Sequence, residues 1–275
     1  MQNGVRAFSF SEGVAFVAGG SGGIGAAITQ AFAAAGSDVF FTYYRNFDAA
    51  TRVREAAGRH GRRVECVQLA LEDSASVAHT LADARSRFGN IHSVIYAAGP
   101  SVPINFLGQI REEDWIKTFA MDTHACFNLV HAALPILKGQ GGGSLTAVTT
   151  TQFARHVPMS VLSSAPKAAI ESMMQVVAKE YGRYGVRANC VRSGWLAGGK
   201  FADIEDGGVR WGLEYDAHLT TAFIPIILEQ DDVKWCAADA IAMARDSNHF
   251  LDLHGRAPFS SSRQVCSLSS RPVQQ

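Results

Sequence analysis

Val14-Ala15-Phe16-Val17-Ala18-Gly19-Gly20-Ser21-Gly22-Gly23-Ile24-Gly25 is a short apolar run that breaks into glycines and then enters a helical pattern. The glycines permit a tight turn and let backbone amides approach a pyrophosphate, whose charge is favoured by the N-terminus of the following helix. Alone, such a loop says little. Its place between an apolar strand and an amphipathic helix gives it meaning. Working outward, apolar runs alternate with helical patterns through the first 190 residues. That is the signature of repeated strand-helix units, and so of an α/β fold: a doubly wound parallel sheet with helices on both faces. The expected strands are Val14–Ala18, Asp38–Tyr43, Arg63–Leu69, Ile91–Ala97, Ser144–Thr150 and Val186–Val191. Expected helices are Ile24–Ala35, Asp73–Phe88 and Trp115–Leu137, followed by Gly36, Gly89 and Gly139, which suit the left-handed turn at a helix C-terminus. A further helix carries Lys167 and runs to about Tyr184, before Gly185.

A chain of 275 residues, 47% apolar and 18% charged, can bury one large core, and no Pro/Ser-rich break divides it. One domain over residues 1–259 is expected, with a polar tail at 260–275. Residues 194–230 bear glycines and aromatics without clean periodicity. In a doubly wound sheet they fall beside the C-terminal ends of the strands, which makes them the candidate substrate lid. Equal counts of 25 acidic and 25 basic residues argue against a general attraction to nucleic acid or an anionic membrane. No run of about 18 apolar residues suggests a membrane span. The five cysteines are odd in number and far apart, without a Cys-x-x-Cys pair, so free thiols in a reducing, cytoplasmic setting are expected. No metal site is expected either. His124 and His131, seven apart on one helix, lack carboxylates in ligand spacing. The expected partners are a small-molecule substrate and further copies of the chain.

The glycine loop is joined by Tyr96-Ala97-Ala98-Gly99 at the end of the fourth strand, which resembles the Asn-Asn-Ala-Gly of the short-chain dehydrogenase/reductase family. The resemblance covers about residues 14–250 and implies a Rossmann-like domain, a nicotinamide dinucleotide and a homodimer or homotetramer. Carried onto this chain, the cofactor-binding positions are Gly19, Ser21, Gly23, Ile24, Gly25, Tyr44, Arg45, Asn46, Leu71, Ala97, Ala98, Gly99, Lys167 and Leu196. NAD enzymes usually place a carboxylate on the ribose 2′-hydroxyl at the end of the second strand. Here Thr42-Tyr43-Tyr44-Arg45-Asn46 has none until Asp48. Arg45 suits a 2′-phosphate, so NADP(H) is expected, the alternative being a solvated loop arginine. Ala70 departs from the acidic residue that relatives commonly place near the adenine.

The same resemblance locates the catalytic slots. In such enzymes a tyrosine phenol, acidified by a nearby lysine, protonates the carbonyl oxygen as hydride arrives, while a serine steadies that oxygen and an asparagine holds a relay water. Lys167 keeps its place. Thr150 stands at the serine position and Asp122 at the asparagine position, whereas Ser163, four residues before Lys167, replaces the tyrosine. A serine hydroxyl is several ångströms shorter than a phenol and far less acidic, so it does not inherit the role. If Asp122 and Lys167 face each other in a partly dry pocket, they influence each other's ionisation and share a water as a proton relay; otherwise Asp122 caps or pairs within its own helix. Pro166 is expected to kink the helix or to delay its start to about Ser164, since it clashes with the Leu162 carbonyl. No Gly-x-Ser-x-Gly elbow surrounds Ser163 and Ser164, which speaks against a serine hydrolase.

One branch of the family, the 2,4-dienoyl-CoA reductases, carries serine at the slot of Ser163, and part of that branch has aspartate at the slot of Asp122. When hydride adds to a conjugated alkene, the proton goes to carbon and can come from water held by Asp and Lys. Against the likeness, the tyrosine that some of these reductases place eleven residues upstream is Gln152 here. The expectation is an atypical NADP(H)-dependent reductase acting on a conjugated C=C, a C=N or a C=O bond. The alternatives are a non-redox lyase, isomerase or cyclase of secondary metabolism on the same scaffold, and a catalytically silent binding subunit.

Overall fold

The computed structural model describes Phe10, residues 12–196, and two short strands at residues 227–228 and 251–252. The strands are β1 (Val14–Ala18), β2 (Asp38–Tyr43), β3 (Val64–Gln68), β4 (Ile91–Tyr96), β5 (Gly143–Thr150), β6 (Val186–Ser193), β7 (Trp195–Leu196), β8 (Ile227–Leu228) and β9 (Leu251–Asp252). Seven of them form one parallel sheet in the order β3-β2-β1-β4-β5-β6-β9, and β7 and β8 pair separately. The chain winds outward from β1 to β3, then returns to lay β4 on the other side of β1. That reversal opens a crevice at the C-terminal ends of β1 and β4, the place where doubly wound sheets bind ligands. The Ala97 N–H donates to the Ala18 carbonyl at 2.9 Å, so the two small-residue turns leave the sheet side by side.

The helices are α1 (Gly23–Ala34), α2 (Phe47–Gly58), α3 (Ser74–Phe88), α4 (Glu112–Phe119), α5 (Ala125–Gly139), α6 (Gln152–Arg155) and α7 (Val161–Tyr181). All five residues of β1 are fully buried because helices cover both faces. Val14, Phe16 and Ala18 face a core built with α3, α5 and α7; Ala15 and Val17 face one built with α1 and α2. The single-domain α/β Rossmann-like fold read from the sequence is the fold observed.

Several elements depart from the expected ones, and three of them bear on the crevice. Helix α2 is not among the expected helices, because its buried stripe is only Ala50, Val53 and Ala57; Asn46 caps it by accepting from the Ala49 N–H at 2.9 Å. The expected helix Trp115–Leu137 begins earlier, at Glu112, with Glu113 and Asp114 also in its first turn where the helix dipole favours acids. It is then broken by a π turn at Ala120–His124 before α5 resumes. Helix α7 starts at Val161 rather than near Ser164 and runs through the buried Pro166. The Ser160 carbonyl accepts from both Ser163 and Ser164 N–H groups, at 2.9 and 2.8 Å, so a first turn is closed before the proline is reached. Pro166 in turn offers its carbonyl to the Thr123 hydroxyl at 3.3 Å, tying α7 to the π turn.

Candidate active site

The glycine loop is shaped by close approach. Gly19 has φ 80°, and a Cβ there would stand 2.8 Å from Ala98 Cα; at Gly20 it would stand 2.5 Å from Phe41 Cβ. A Cβ on Gly25 would collide with the Gly19 carbonyl oxygen. The loop is therefore pressed against the β4 turn on one side and α1 on the other, and only glycine fits. Gly19 and Gly20 N–H groups donate to Thr42 Oγ1 and Thr42 O at 3.2 and 2.9 Å, which locks the loop to β2. Gly22 and Gly23 are both exposed, and a Cβ on Gly23 would meet nothing within 4 Å. Helix α1 has no acidic residue in its first turn and no side-chain cap, which leaves its first amides for an anion. This cradle fits the pyrophosphate of a dinucleotide.

At the end of β2, Tyr44 and Arg45 are exposed, and the Arg45 guanidinium lies 4.7 Å from the Tyr44 ring centroid. Gln68 steadies the turn by donating to the Tyr44 carbonyl at 2.8 Å. The Asn46 side-chain oxygen is committed to capping α2. Leu71 is buried, and its carbonyl accepts from Asn128 Nδ2 at 3.0 Å. Leu196 closes β7; the remainder of the candidate lid, residues 197–226 and 229–230, and the 260–275 tail lie outside the described residues.

On the other side of the crevice, three segments meet at one ammonium. Lys167 Nζ donates to Asp122 Oδ1 at 2.8 Å and to the Ala98 carbonyl at 3.2 Å, and lies 5.0 Å from the Tyr96 ring centroid. Asp122 is only 3% exposed, so its charge is buried beside its counter-ion. Asp122 thus pairs across to α7 and not within its own helix. The Tyr96 hydroxyl donates to both Asp122 O and Asp122 Oδ1, at 2.9 and 3.0 Å. Burial, reinforced by the Asp122 carboxylate, pushes the Tyr96 phenol well above its usual range, so it keeps its proton. In the sequence Tyr96 stands only as the first residue of a turn motif. A signal is nonetheless present there: a bulky phenol heads a motif whose other residues are Ala97, Ala98 and Gly99.

Thr150 ends β5, and its Oγ1 accepts from the Gln152 N–H at 3.3 Å. Ser163 lies in the first turn of α7, and among the described residues its hydroxyl makes no hydrogen bond. Neither is hydrogen-bonded to Lys167. Behind them lies a second buried network that no sequence motif announces. Glu171 is 3% exposed, accepts from Thr149 Oγ1 at 2.7 Å, and pairs with Arg192 through two bonds of 2.9 and 2.7 Å. Among the described residues no group of three or more metal-ligating side chains occurs, and no helix is long and apolar enough to cross a membrane.

A parallel sheet with a glycine cradle at its switch point, and a buried Lys-Asp pair beside it, defines a dinucleotide-binding α/β protein. A family model described as Enoyl-(Acyl carrier protein) reductase matches residues 18–221. The sorbose reductase of Schizosaccharomyces pombe is 31% identical over 194 residues, 69% of this chain and 75% of that protein. The chloroplastic NADPH-dependent aldehyde reductase-like protein of Arabidopsis thaliana is 32% identical over 203 residues, covering 69% and 74%. Among solved structures, the NADPH-dependent 3-quinuclidinone reductase of Rhodotorula rubra superposes with a TM-score of 0.74 at 26% identity, covering 90% of this chain and 91% of the other. The chain belongs to the short-chain dehydrogenase/reductase family and is related to its oxidoreductases.

Proposed function

We propose that the protein is an atypical NADP(H)-dependent reductase that acts on a conjugated C=C, a C=N or a C=O bond of a small organic molecule. The observation that carries this reading is the buried 2.8 Å pair between Lys167 Nζ and Asp122 Oδ1 in a site where Ser163 replaces the family's phenol. Gly19, Ser21, Gly23, Ile24 and Gly25 would hold the pyrophosphate, and Ala97–Gly99, Leu71 and Leu196 would flank the rest of the dinucleotide. When bound, it supplies the hydride. Arg45, already beside Tyr44, would take a 2′-phosphate. The likeness to the NADPH-dependent 3-quinuclidinone reductase and to the NADPH-dependent aldehyde reductase-like protein supports that preference.

An ammonium has three N–H donors. Lys167 uses two, on Ala98 O and Asp122 Oδ1, and the third is available to a ribose hydroxyl or a water. The proton passes from water held between Asp122 and Lys167 to the substrate atom that does not take the hydride. Lys167 returns a proton to that water and is recharged from solvent. Thr150, with its oxygen accepting from Gln152, has its own O–H free to steady a substrate oxygen. Ser163 vacates the volume of a phenol and gives the substrate room. This division of labour matches the 2,4-dienoyl-CoA reductase pattern of Ser and Asp at these slots. The exposed Phe127 on α5 and Val176 on α7 suit pairing of the chain with copies of itself.

Titration with NADPH and NADH, followed by a panel of enones, imines, ketones and dienoyl thioesters monitored by loss of reduced-nicotinamide absorbance, tests the reading. NADPH should bind more tightly, Arg45→Ala should remove the difference, and Asp122→Asn and Lys167→Ala should each slow turnover about a hundredfold. Failure of both nucleotides to bind overturns the reading and leaves the silent subunit. Binding with no turnover on any substrate favours the non-redox enzyme.

A further inference from the structure

Tyr96 touches both members of the Lys167–Asp122 pair, one through its hydroxyl and the other through its ring. Its single hydroxyl proton lies between two acceptors of the same residue, the main-chain carbonyl and Oδ1 of Asp122. Its ring lies beneath the Lys167 ammonium at 5.0 Å, within cation-π range. A donor shared by the backbone and the side chain of one residue fixes that side chain's torsions. Asp122 stands in the π turn Ala120–His124, where the helical ladder is interrupted and a partner from outside the helix has room to bond the carbonyl. Tyr96 itself is firmly anchored, since it ends β4, is 2% exposed, and belongs to a strand that pairs with β1 and β5 on either side.

We propose that Tyr96 is a positioning residue for the chemistry assigned above, on which this inference rests. Its hydroxyl holds Asp122 so that Oδ1 meets Lys167, while Oδ2, which makes no hydrogen bond among the described residues, is presented to the proton-delivering water. The ionisable groups facing this carboxylate are Lys167, Tyr96 and Cys126, with Glu72 acting on Tyr96 from farther off. Burial keeps both the Tyr96 phenol and the Cys126 thiol protonated, so neither competes for the relay's proton. The aromatic ring and the hydroxyl have separable roles. Tyr96→Phe keeps the ring under Lys167 and deletes only the clamp.

The first test needs neither cofactor nor substrate. With 13C-labelled aspartate, the Asp122 carboxyl resonance is assigned by its loss in Asp122→Asn and compared, at one fixed pH, between the wild type and Tyr96→Phe. Loss of a donor to the carboxylate should displace that resonance. An unmoved resonance overturns the proposal. On a substrate found in the panel, Tyr96→Phe should lower kcat about tenfold and change KM for NADPH less than about twofold. A moved resonance with unchanged kcat overturns the positioning role and leaves Tyr96 a residue of the fold. If Asp122→Asn turns over as the wild type does, the proposed function fails while the resonance still judges the clamp. Should Tyr96→Phe not fold, the wild-type protein serves: its buried Tyr96 hydroxyl proton should give a slowly exchanging downfield resonance that shifts in Asp122→Asn. Its failure to shift overturns the clamp.

Discussion

On the β1–β2 side of the crevice the candidate ligand surface is made of backbone, and side chains matter there chiefly by being absent. Gly19, Gly20 and Gly25 are held where any Cβ would strike Ala98, Phe41 or the Gly19 carbonyl. On the β4–β5 side the candidate site is made of largely buried charged and hydroxyl side chains that meet across long stretches of chain. Tyr96 reaches Asp122 over 26 residues, Asp122 reaches Lys167 over 45, and Lys167 reaches Ala98 over 69. The difference teaches that a backbone cradle is fixed by what has no room beside it, whereas a side-chain site is fixed by partners brought together from distant segments. Asp122, Lys167 and Tyr96 all lie on the side-chain side.

The contrast can be broken most decisively at Gly25. Gly25→Ala forces α1 away from the loop, and dinucleotide affinity measured by fluorescence titration should fall about a hundredfold or more, about 3 kcal/mol. Affinity equal to the wild type would remove the cradle from the binding site. A similar energy, read as stability, is expected on the other side. Glu171→Gln strips Arg192 of its buried counter-charge and should cost about 3 kcal/mol in urea unfolding while leaving nucleotide affinity nearly unchanged. Loss of affinity alongside stability would show that the two sides are coupled.

Below both sides, at the amino-terminal end of the sheet, His92 lies under Phe10 with ring centroids 4.5 Å apart and bonds Ser37 and Ser93 at 2.9 Å. Burial, opposed by Asp38, pulls its imidazole down to about 4. The folded state thus resists a proton that the unfolded chain accepts near 6.5, so this contribution is complete above about 6.5 and is lost as pH falls toward 4. Urea unfolding should show on the order of 2 kcal/mol lost over that window, and His92→Gln should flatten the dependence. An unchanged slope would refute it. The smallest effect is expected at Thr42→Val, which removes the acceptor for the Gly19 N–H and should cost about 1 kcal/mol with a few-fold weaker nucleotide binding. Full affinity in that variant would show that the glycines alone hold the loop.

The sheet and the loop are legible in the sequence because their signals are local: apolar runs at strand length, glycines at turns, and caps where helices end. Helix α2 escapes such a reading because small alanines carry a weak amphipathic stripe. The start of α7 is misplaced when Pro166 is weighed alone, without the Ser160 carbonyl that closes the first turn ahead of it. At the site, Lys167 and Asp122 are found by their slots, whereas Tyr96 looks like a turn residue and the Thr149–Glu171–Arg192 network leaves no trace. Neither has a sequence spacing that betrays it, since each is assembled from separate strands and helices.

By itself the sequence determined the parallel α/β architecture and the place of the glycine loop between β1 and α1, because strand burial, turn chemistry and helix N-termini follow from residues within a few positions of one another. Only the tertiary structure decided that Asp122 pairs with Lys167 rather than within its own helix, and that Tyr96 donates to it. The physical reason is that a buried charge takes whatever partner the fold brings within hydrogen-bonding distance, and that is set by strand order, a π turn and the first turn of α7 together.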